Sequence, residues 1–281
     1  CKRQPIYYFI FLVSFIDSAI NNYWNYFKSK GAKGMNSVFY KNISIKGFLS
    51  CTFILLILCC NAIQRNSYAD EQTKSSKEIF NNVESIKMKD PLAVVLGAMD
   101  KCDVFVYTYA DAVKSAGHSC PAVAGAYKST QMALKALYGY EIPVRGNVKV
   151  TFKGGVDYKV NGPISQVVTL ITGASAENGF KGLGTAGKYG RYNLMAFDKE
   201  LKPDPKAICS IVFQRVDNGK QIEVTYCVEP VPTSERLDKL MPLVISGKVS
   251  EEESEEFGNL WQERVKTILL NPPDGTFVLK D

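Results

Sequence analysis

The fold class follows from residues 121–155, which read PAVAGAYKSTQMALKALYGYEIPVRGNVKVTFKGG. Pro121 opens a predicted helix that ends at Gly139, because proline suits the first helical turn and glycine the C-terminal end. The apolar residues near one face of this helix are Val123, Tyr127, Leu134 and Leu137. From Val148 the pattern changes to that of a strand, NVKVTFK. A helical part followed by strands predicts an α+β fold.

The segments after residue 155 continue this pattern and then return to helix. The further predicted strands are ISQVVTLITG (164–173), RYNLMAF (191–197), the two arms of a hairpin over 207–228, and TFVL (276–279) at a sheet edge. The further predicted helices cover 233–245 and the stretch that follows the capping-box pair Ser250 and Glu253. We therefore predict one α+β domain over residues 90–281, with helices before and after the sheet.

The start of the domain carries helix signals. Asp90 followed by Pro91 is a good N-cap and first-position pair. Residues 103–116 are predicted to be mostly helical, although their Val, Phe and Tyr residues leave a strand possible. Residues 117–120, Gly-His-Ser-Cys, are a predicted turn before the long helix.

Residues 1–89 are interpreted as leader and tether. Residues 1–34 read as mis-called upstream sequence, with a membrane-proximal extension as the alternative. Residues 35–69 resemble a secretory signal peptide, with a short apolar run at 48–60 and cleavage after Ala69. A lipoprotein site at one of the cysteines near residue 60 is the other alternative, and residues 70–89 read as a polar tether. The interpretation predicts a periplasmic or extracellular protein whose mature chain has no stable membrane span.

The charge balance argues against nucleic acid as a partner. The 281 residues carry a formal charge of +6, with 34 basic and 28 acidic residues. Residues 1–69 hold eight of the basic residues and one of the acidic ones, so residues 70–281 hold 26 and 27 and carry −1. The basic surface that nucleic-acid binding requires is therefore absent from the predicted mature chain.

The hairpin suggests a cysteine pair. If paired residue numbers sum to 436, residues 217–219 form a three-residue loop and Cys209 lies opposite Cys227 at a non-hydrogen-bonded position. An oxidising compartment would then favour a disulfide between them. The alternative is two free thiols, and a register slip of one residue would remove the argument.

His118 and Cys120 form the candidate site. They are two residues apart in a turn at the start of a helix, where unpaired N–H groups favour a thiolate. A thiolate beside an imidazole can bind a soft metal, act in redox chemistry or serve as a nucleophile. From the residues alone, a Cys102–Cys120 disulfide with His118 packed nearby is the alternative.

The chain resembles the FmdE family of formylmethanofuran dehydrogenase components, in a bacterial branch. The resemblance rests on GHSCPAVAGAYKSTQMALKALYG (117–139), IPVRG (142–146), ITGASAENGFKGLG (171–184) and RYNLM (191–195), within residues 103–228 and on through the helix of Trp261. It implies an α+β fold with a mixed sheet, a possible homodimer, and a transition metal, zinc or nickel, held by His118 and Cys120. The formylmethanofuran reaction itself is not implied.

Two family ligands are missing. The first His of the family motif is Ala116 here, and a later family Cys is Gly154. The substitutes that we consider are Cys102, Tyr127, Asp157, a water molecule or an outside ligand.

A glycine-rich segment, residues 173–190, is predicted to be a surface loop that closes over the pocket. The resemblance places it beside the His/Cys turn and makes Glu177, Asn178 and Lys181 pocket candidates, together with Tyr127 and Asp157. Arg145 is predicted to form a structural ion pair, with an anion clamp as the alternative.

Three functions follow as hypotheses. The preferred one is an exported metal-binding protein whose physiological role and small ligand are unknown. The second is a thiol-based redox or nucleophilic enzyme in which His118 activates Cys120. The third is a small-anion-binding module without metal, in which Lys181→Ala weakens binding and Cys120→Ser does not.

Overall fold

The structure is a computed structural model, and it describes residues 80–281. The helices are α1 (Pro91–Val95), α2 (Tyr109–Ala116), α3 (Pro121–Tyr138), α4 (Asn161–Thr172), α5 (Glu235–Ile245) and α6 (Glu251–Leu270). The strands are β1 (Ile86–Met88), β2 (Phe105–Tyr107), β3 (Val148–Lys153), β4 (Met195–Asp198), β5 (Cys209–Arg215), β6 (Gln221–Tyr226) and β7 (Phe277–Lys280). The α+β prediction is confirmed. The predicted leader and most of the predicted tether lie outside the described residues.

The main sheet has five strands in the order β4-β3-β5-β6-β7. Strands β3 and β4 pair in parallel, and the other neighbours are antiparallel. The sheet is therefore mixed, and β7 forms an edge, as predicted for TFVL. Strands β1 and β2 form a separate antiparallel pair. None of the helices in residues 80–281 is both long and apolar enough to cross a membrane.

Helix α3 packs against strand β6 at a glycine. A Cβ atom on Gly125 would overlap the ring of Tyr226, so the absence of a side chain lets the helix approach the sheet. Tyr226 is fully buried, and its hydroxyl donates to the Pro121 carbonyl at 2.9 Å. Its ring stacks on Phe277 with centroids 4.9 Å apart. These contacts fix the first turn of α3 relative to the sheet.

The strand predicted at residues 164–173 is wrong, because this segment belongs to helix α4. Its buried aliphatic residues follow helical spacing: Ile164, Val167, Val168 and Ile171. Gly173, at φ 73°, ends the helix in the left-handed conformation that glycine favours. A short apolar run rich in β-branched residues suits either structure, and here the spacing decides.

The other predicted helices are observed, except that one predicted segment divides into a strand and a helix. Asp90 caps α1 by accepting from the Leu92 and Ala93 N–H groups, with Pro91 in the first turn. Residues 103–116 divide into strand β2 and helix α2, which begins with a capping box between Thr108 and Asp111. The capping box of Ser250 and Glu253 at α6 is confirmed, as is the hairpin itself.

The predicted hairpin register is wrong by one residue. Cys209 pairs with Tyr226, and Arg215 bonds to Lys220, so the loop has four residues. The odd-numbered residues of β5 face the core, with Ile211 opposite Val224. The prediction placed Ile208 and Val212 on the core face. Within β5 the apolar core residues are instead Cys209, Ile211 and Phe213, and the other face also carries the polar Ser210 and Gln214. The argument for a Cys209–Cys227 disulfide is therefore lost, and both residues are free thiols in the structure.

Candidate functional site

The candidate site is the turn between helices α2 and α3. Gly117 ends α2 at φ 77°, which is the left-handed region. Cys120 is the N-cap residue of the 18-residue helix α3, with Pro121 in the first helical position. The local sequence forms this turn because glycine can reverse the chain and proline can only begin a helix.

Ser119 anchors the turn to the C-terminal helix. Its hydroxyl donates to Oε1 of Gln262 at 2.9 Å and accepts from the Tyr109 hydroxyl at 2.9 Å. Its carbonyl accepts from Trp261 Nε1 at 3.1 Å and from Gln262 Nε2 at 3.3 Å. Burial raises the pKa of Tyr109 above its ordinary value, so this phenol stays a donor. The four hydrogen bonds hold the backbone between His118 and Cys120 in place.

His118 is exposed and has one ring nitrogen engaged. Its Nδ1 atom lies 3.0 Å from the Ala116 carbonyl oxygen. Because a carbonyl can only accept, this hydrogen bond requires the proton on Nδ1. The neutral ring then presents an unprotonated Nε2 atom, which is the usual arrangement of a histidine that binds a metal.

Cys120 is half-buried beside the sheet. Its side chain makes no capping hydrogen bond, so the Sγ atom is not used to close the helix end. The hydroxyls of Tyr109 and Tyr226 bond to the residues on either side of Cys120, the first to the Ser119 hydroxyl and the second to the Pro121 carbonyl. The turn thus presents one sulfur and one imidazole nitrogen as candidate ligands.

By its donor set, this pair could supply at most two of the ligands of a metal site. A structural zinc site generally needs four protein ligands and a catalytic one three. Within residues 80–281, no group of three or more His, Cys, Asp or Glu side chains is placed to hold a metal ion. A metal bound by His118 and Cys120 would therefore need further ligands from outside this group.

The other predicted site residues belong to other segments of the chain. Tyr127 is fully buried, and its hydroxyl donates to the carbonyls of Glu84 and Tyr107 at 3.0 and 2.9 Å. The exposed ones are Asp157, Glu177, Asn178, Lys181 and Cys102. In the part of the chain that the structure describes, no hydrogen bond or ion pair links any of these six residues to His118 or Cys120. Among the predicted site residues, only His118 and Cys120 share this turn, two positions apart.

The residues that position the turn were not predicted from the sequence. Trp261 and Gln262 are more than 140 positions away from Ser119 along the chain. The only sequence feature that pointed to these two residues was the suggested family resemblance, which runs on through their helix. Arg145 does form the predicted ion pair, with Asp90 at 3.2 Å, but the second arginine on that carboxylate, Arg191, was not predicted.

The described cysteines should differ sharply in reactivity. Burial raises the pKa of Cys209 from the ordinary 9.0 to about 12, whereas Cys102 is exposed. At about pH 8 we expect iodoacetamide to modify Cys102 first, Cys120 and Cys227 more slowly, and Cys209 only after unfolding. Peptide mass spectrometry on timed samples measures this order.

The same experiment tests the cysteine pairing. Labelling of Cys209 as fast as Cys102 in the folded protein would contradict the burial. Protection of both Cys209 and Cys227 after unfolding without reductant would show a disulfide and contradict the free thiols.

The protonated Cys209 thiol also favours the folded state below pH 9, and this contribution is lost as the pH rises towards about 12.

The comparisons with known proteins give no assignment. No family model matches the chain. A search of curated proteins likewise finds no match.

Proposed function

We propose that the protein binds a transition metal ion, zinc or nickel, through Nε2 of His118 and Sγ of Cys120. The observation that supports this most is the hydrogen bond of His118 Nδ1 to the Ala116 carbonyl, which leaves Nε2 free. Mixed nitrogen and sulfur ligation suits both metals. The exported location predicted from the leader belongs to the same proposal.

The hydrogen bonds that hold the turn in place favour a role for His118 and Cys120 as metal ligands. Metal sites require ligands that are held in place before the metal arrives, usually by hydrogen bonds one step removed. Ser119 lies between the two ligands and is fixed by Tyr109, Trp261 and Gln262. The resemblance of residues 117–139 to the FmdE family adds the same expectation for His118 and Cys120.

The remaining coordination positions are open in this proposal. Water, a small exogenous ligand or the same turn of a second copy could complete the shell, since His118 is exposed. Two copies would supply two nitrogens and two sulfurs, a common structural zinc set. An open position would instead let the metal carry or polarise a small ligand.

The test is elemental analysis of the full chain and three variants. We expect about one metal ion per chain, or half that number if two copies share it, in the wild type and in Cys102→Ser. His118→Ala and Cys120→Ser should each lose most of the metal. Cys102→Ser is the matched control because Cys102 is an exposed free thiol outside residues 117–120.

A reactive thiol is the second candidate function. It is favoured by the position of Cys120 at the start of an 18-residue helix with no capping hydrogen bond on its side chain. A metal-free wild type with rapid alkylation of Cys120, slowed in His118→Ala, would establish this function and contradict the metal site.

A further inference from the structure

A second cluster of charged side chains consists of residues outside the His/Cys turn, where two arginines share one carboxylate. Asp90 accepts from Arg191 Nη2 at 2.6 Å and from Arg145 Nη1 at 3.2 Å. Its Oδ1 atom also accepts from the Leu92 and Ala93 N–H groups. The side chains of Asp90 and Arg191 are 4% and 7% exposed. One negative charge therefore faces two positive ones in the protein interior.

Several donors of this arginine pair lack an acceptor. Within residues 80–281, the buried Nε and Nη1 of Arg191 and the buried Nε of Arg145 have no hydrogen-bond partner. Each unsatisfied buried donor costs about 1–3 kcal/mol, and more when it is charged. Folded proteins seldom leave three such groups together without a ligand, ion or water to satisfy them.

Two glycines in the backbone leave room for the side chains of Arg145 and Arg191. Gly146 and Gly173 both have positive φ angles, 83° and 73°. A Cβ atom at Gly146 would overlap the Arg191 guanidinium, and one at Gly173 would crowd both arginines. The backbone of Arg191 bonds to Ser175 and Phe180 of the glycine-rich segment, so this segment holds Arg191 in place. The two glycines thus let the guanidinium groups lie directly against the backbone, in fixed positions.

We propose that Arg145 and Arg191 form a binding site for a small oxyanion, a phosphate or carboxylate group. Guanidinium groups match the oxygen spacing of both anions. An added anion would give the unpartnered N–H groups acceptors and would balance the second positive charge. The Arg145 side chain is 23% exposed, so the site meets solvent on its side.

The electrostatics agree with this assignment. Burial is the largest influence lowering the pKa of Arg191 below its ordinary value. The attraction of Asp90 opposes this effect, and the positive charge of Arg145 adds to it. An anion beside both arginines would remove this penalty. The site involves neither His118 nor Cys120, so it is independent of the metal proposal.

The test is calorimetric titration of the full chain with inorganic phosphate and, separately, with acetate, at constant ionic strength set with sodium chloride. We expect saturable binding of one anion per chain by at least one of the two. Arg145→Gln should weaken binding about tenfold or more, the loss of one charged hydrogen bond. Arg215→Gln is the control, because Arg215 already pairs with Glu141 and Asp217.

A second variant changes the charge beside the two arginines and predicts a gain of binding. Asp90→Asn removes the competing charge but keeps an oxygen for capping α1, so we expect the anion to bind several-fold more tightly. A merely structural arginine pair would show no such gain. Absence of saturable binding of both anions to the wild type would overturn the proposal, as would equal weakening by Arg145→Gln and Arg215→Gln. Phosphate binding without acetate binding would assign the site to phosphate groups, and the reverse to carboxylates.

Discussion

Replacing Asp90 with alanine should lower the free energy of unfolding by about 3–5 kcal/mol. The change leaves the buried guanidinium of Arg191 and the partly buried one of Arg145 without their shared carboxylate. It also removes the acceptor that caps helix α1. Chemical denaturation monitored by circular dichroism measures the loss, provided that the transition stays two-state.

Asp111→Ala is the matched control for this prediction. Asp111 also bonds to the first turn of a helix and pairs with a lysine, but its partner Lys114 is exposed. We expect a cost of about 1 kcal/mol there. Similar losses for the two variants would contradict the special role of the buried cluster. We expect the loss of stability for Asp90→Asn to lie between the losses for Asp90→Ala and Asp111→Ala, because asparagine keeps the cap of α1.

Replacing Tyr226 with alanine should cost about 3–5 kcal/mol, as for other large buried aromatics. The variant loses a fully buried ring, its stacking on Phe277 and the hydrogen bond to Pro121. Because these contacts fix the start of α3, the variant should also loosen the turn that carries Cys120. Chemical denaturation measures the loss of stability. Faster alkylation of Cys120 in the folded protein would show that the turn has loosened.

A double-mutant cycle with Gly125 tests the contact itself. Gly125→Ala should destabilise the wild type by about 1–3 kcal/mol, since its Cβ atom would overlap the Tyr226 ring. In the Tyr226→Ala background the same change should stabilise, because the clash is gone and alanine is the better helix former by about 1 kcal/mol. An equal loss of stability from Gly125→Ala in both backgrounds would show that the Tyr226 ring does not limit how closely α3 packs on β6.

The elements that sequence predicted correctly are those with local signals. Capping residues mark the starts of α1 and α6, and a proline and a glycine bound α3. These residues act on backbone groups within one helical turn, so their effect can be read from neighbouring positions.

The errors arose where tertiary packing decides. Residues 164–173 are apolar and β-branched enough for a strand, but in the structure they form a helix that packs mainly against α2 and α3. The register of the hairpin depends on which face of β5 meets the core, and the prediction followed Val212 on one face where the core takes Ile211 and Phe213 on the other. In both segments the packing partners that choose between the alternatives lie elsewhere in the chain.

The same limit applies to the site. The turn of His118 and Cys120 was predictable because both residues and the helix start lie within a few positions. Its supports, Trp261 and Gln262, come from α6 far along the chain. The Asp90–Arg191 pair likewise joins residues about a hundred positions apart. Contacts of this kind come from the folded topology and leave no short-range pattern.

X-ray absorption spectroscopy of the metal-loaded protein tests the proposed His118–Cys120 metal site most directly, because it counts the atoms bound to the metal. We expect sulfur at about 2.3 Å and nitrogen or oxygen at about 2.0–2.1 Å, with one sulfur per metal, or two if two copies share it. The sulfur signal should vanish in Cys120→Ser and persist in Cys102→Ser. A wild-type spectrum with only nitrogen and oxygen neighbours would contradict this site, as would a sulfur signal that survives loss of Cys120.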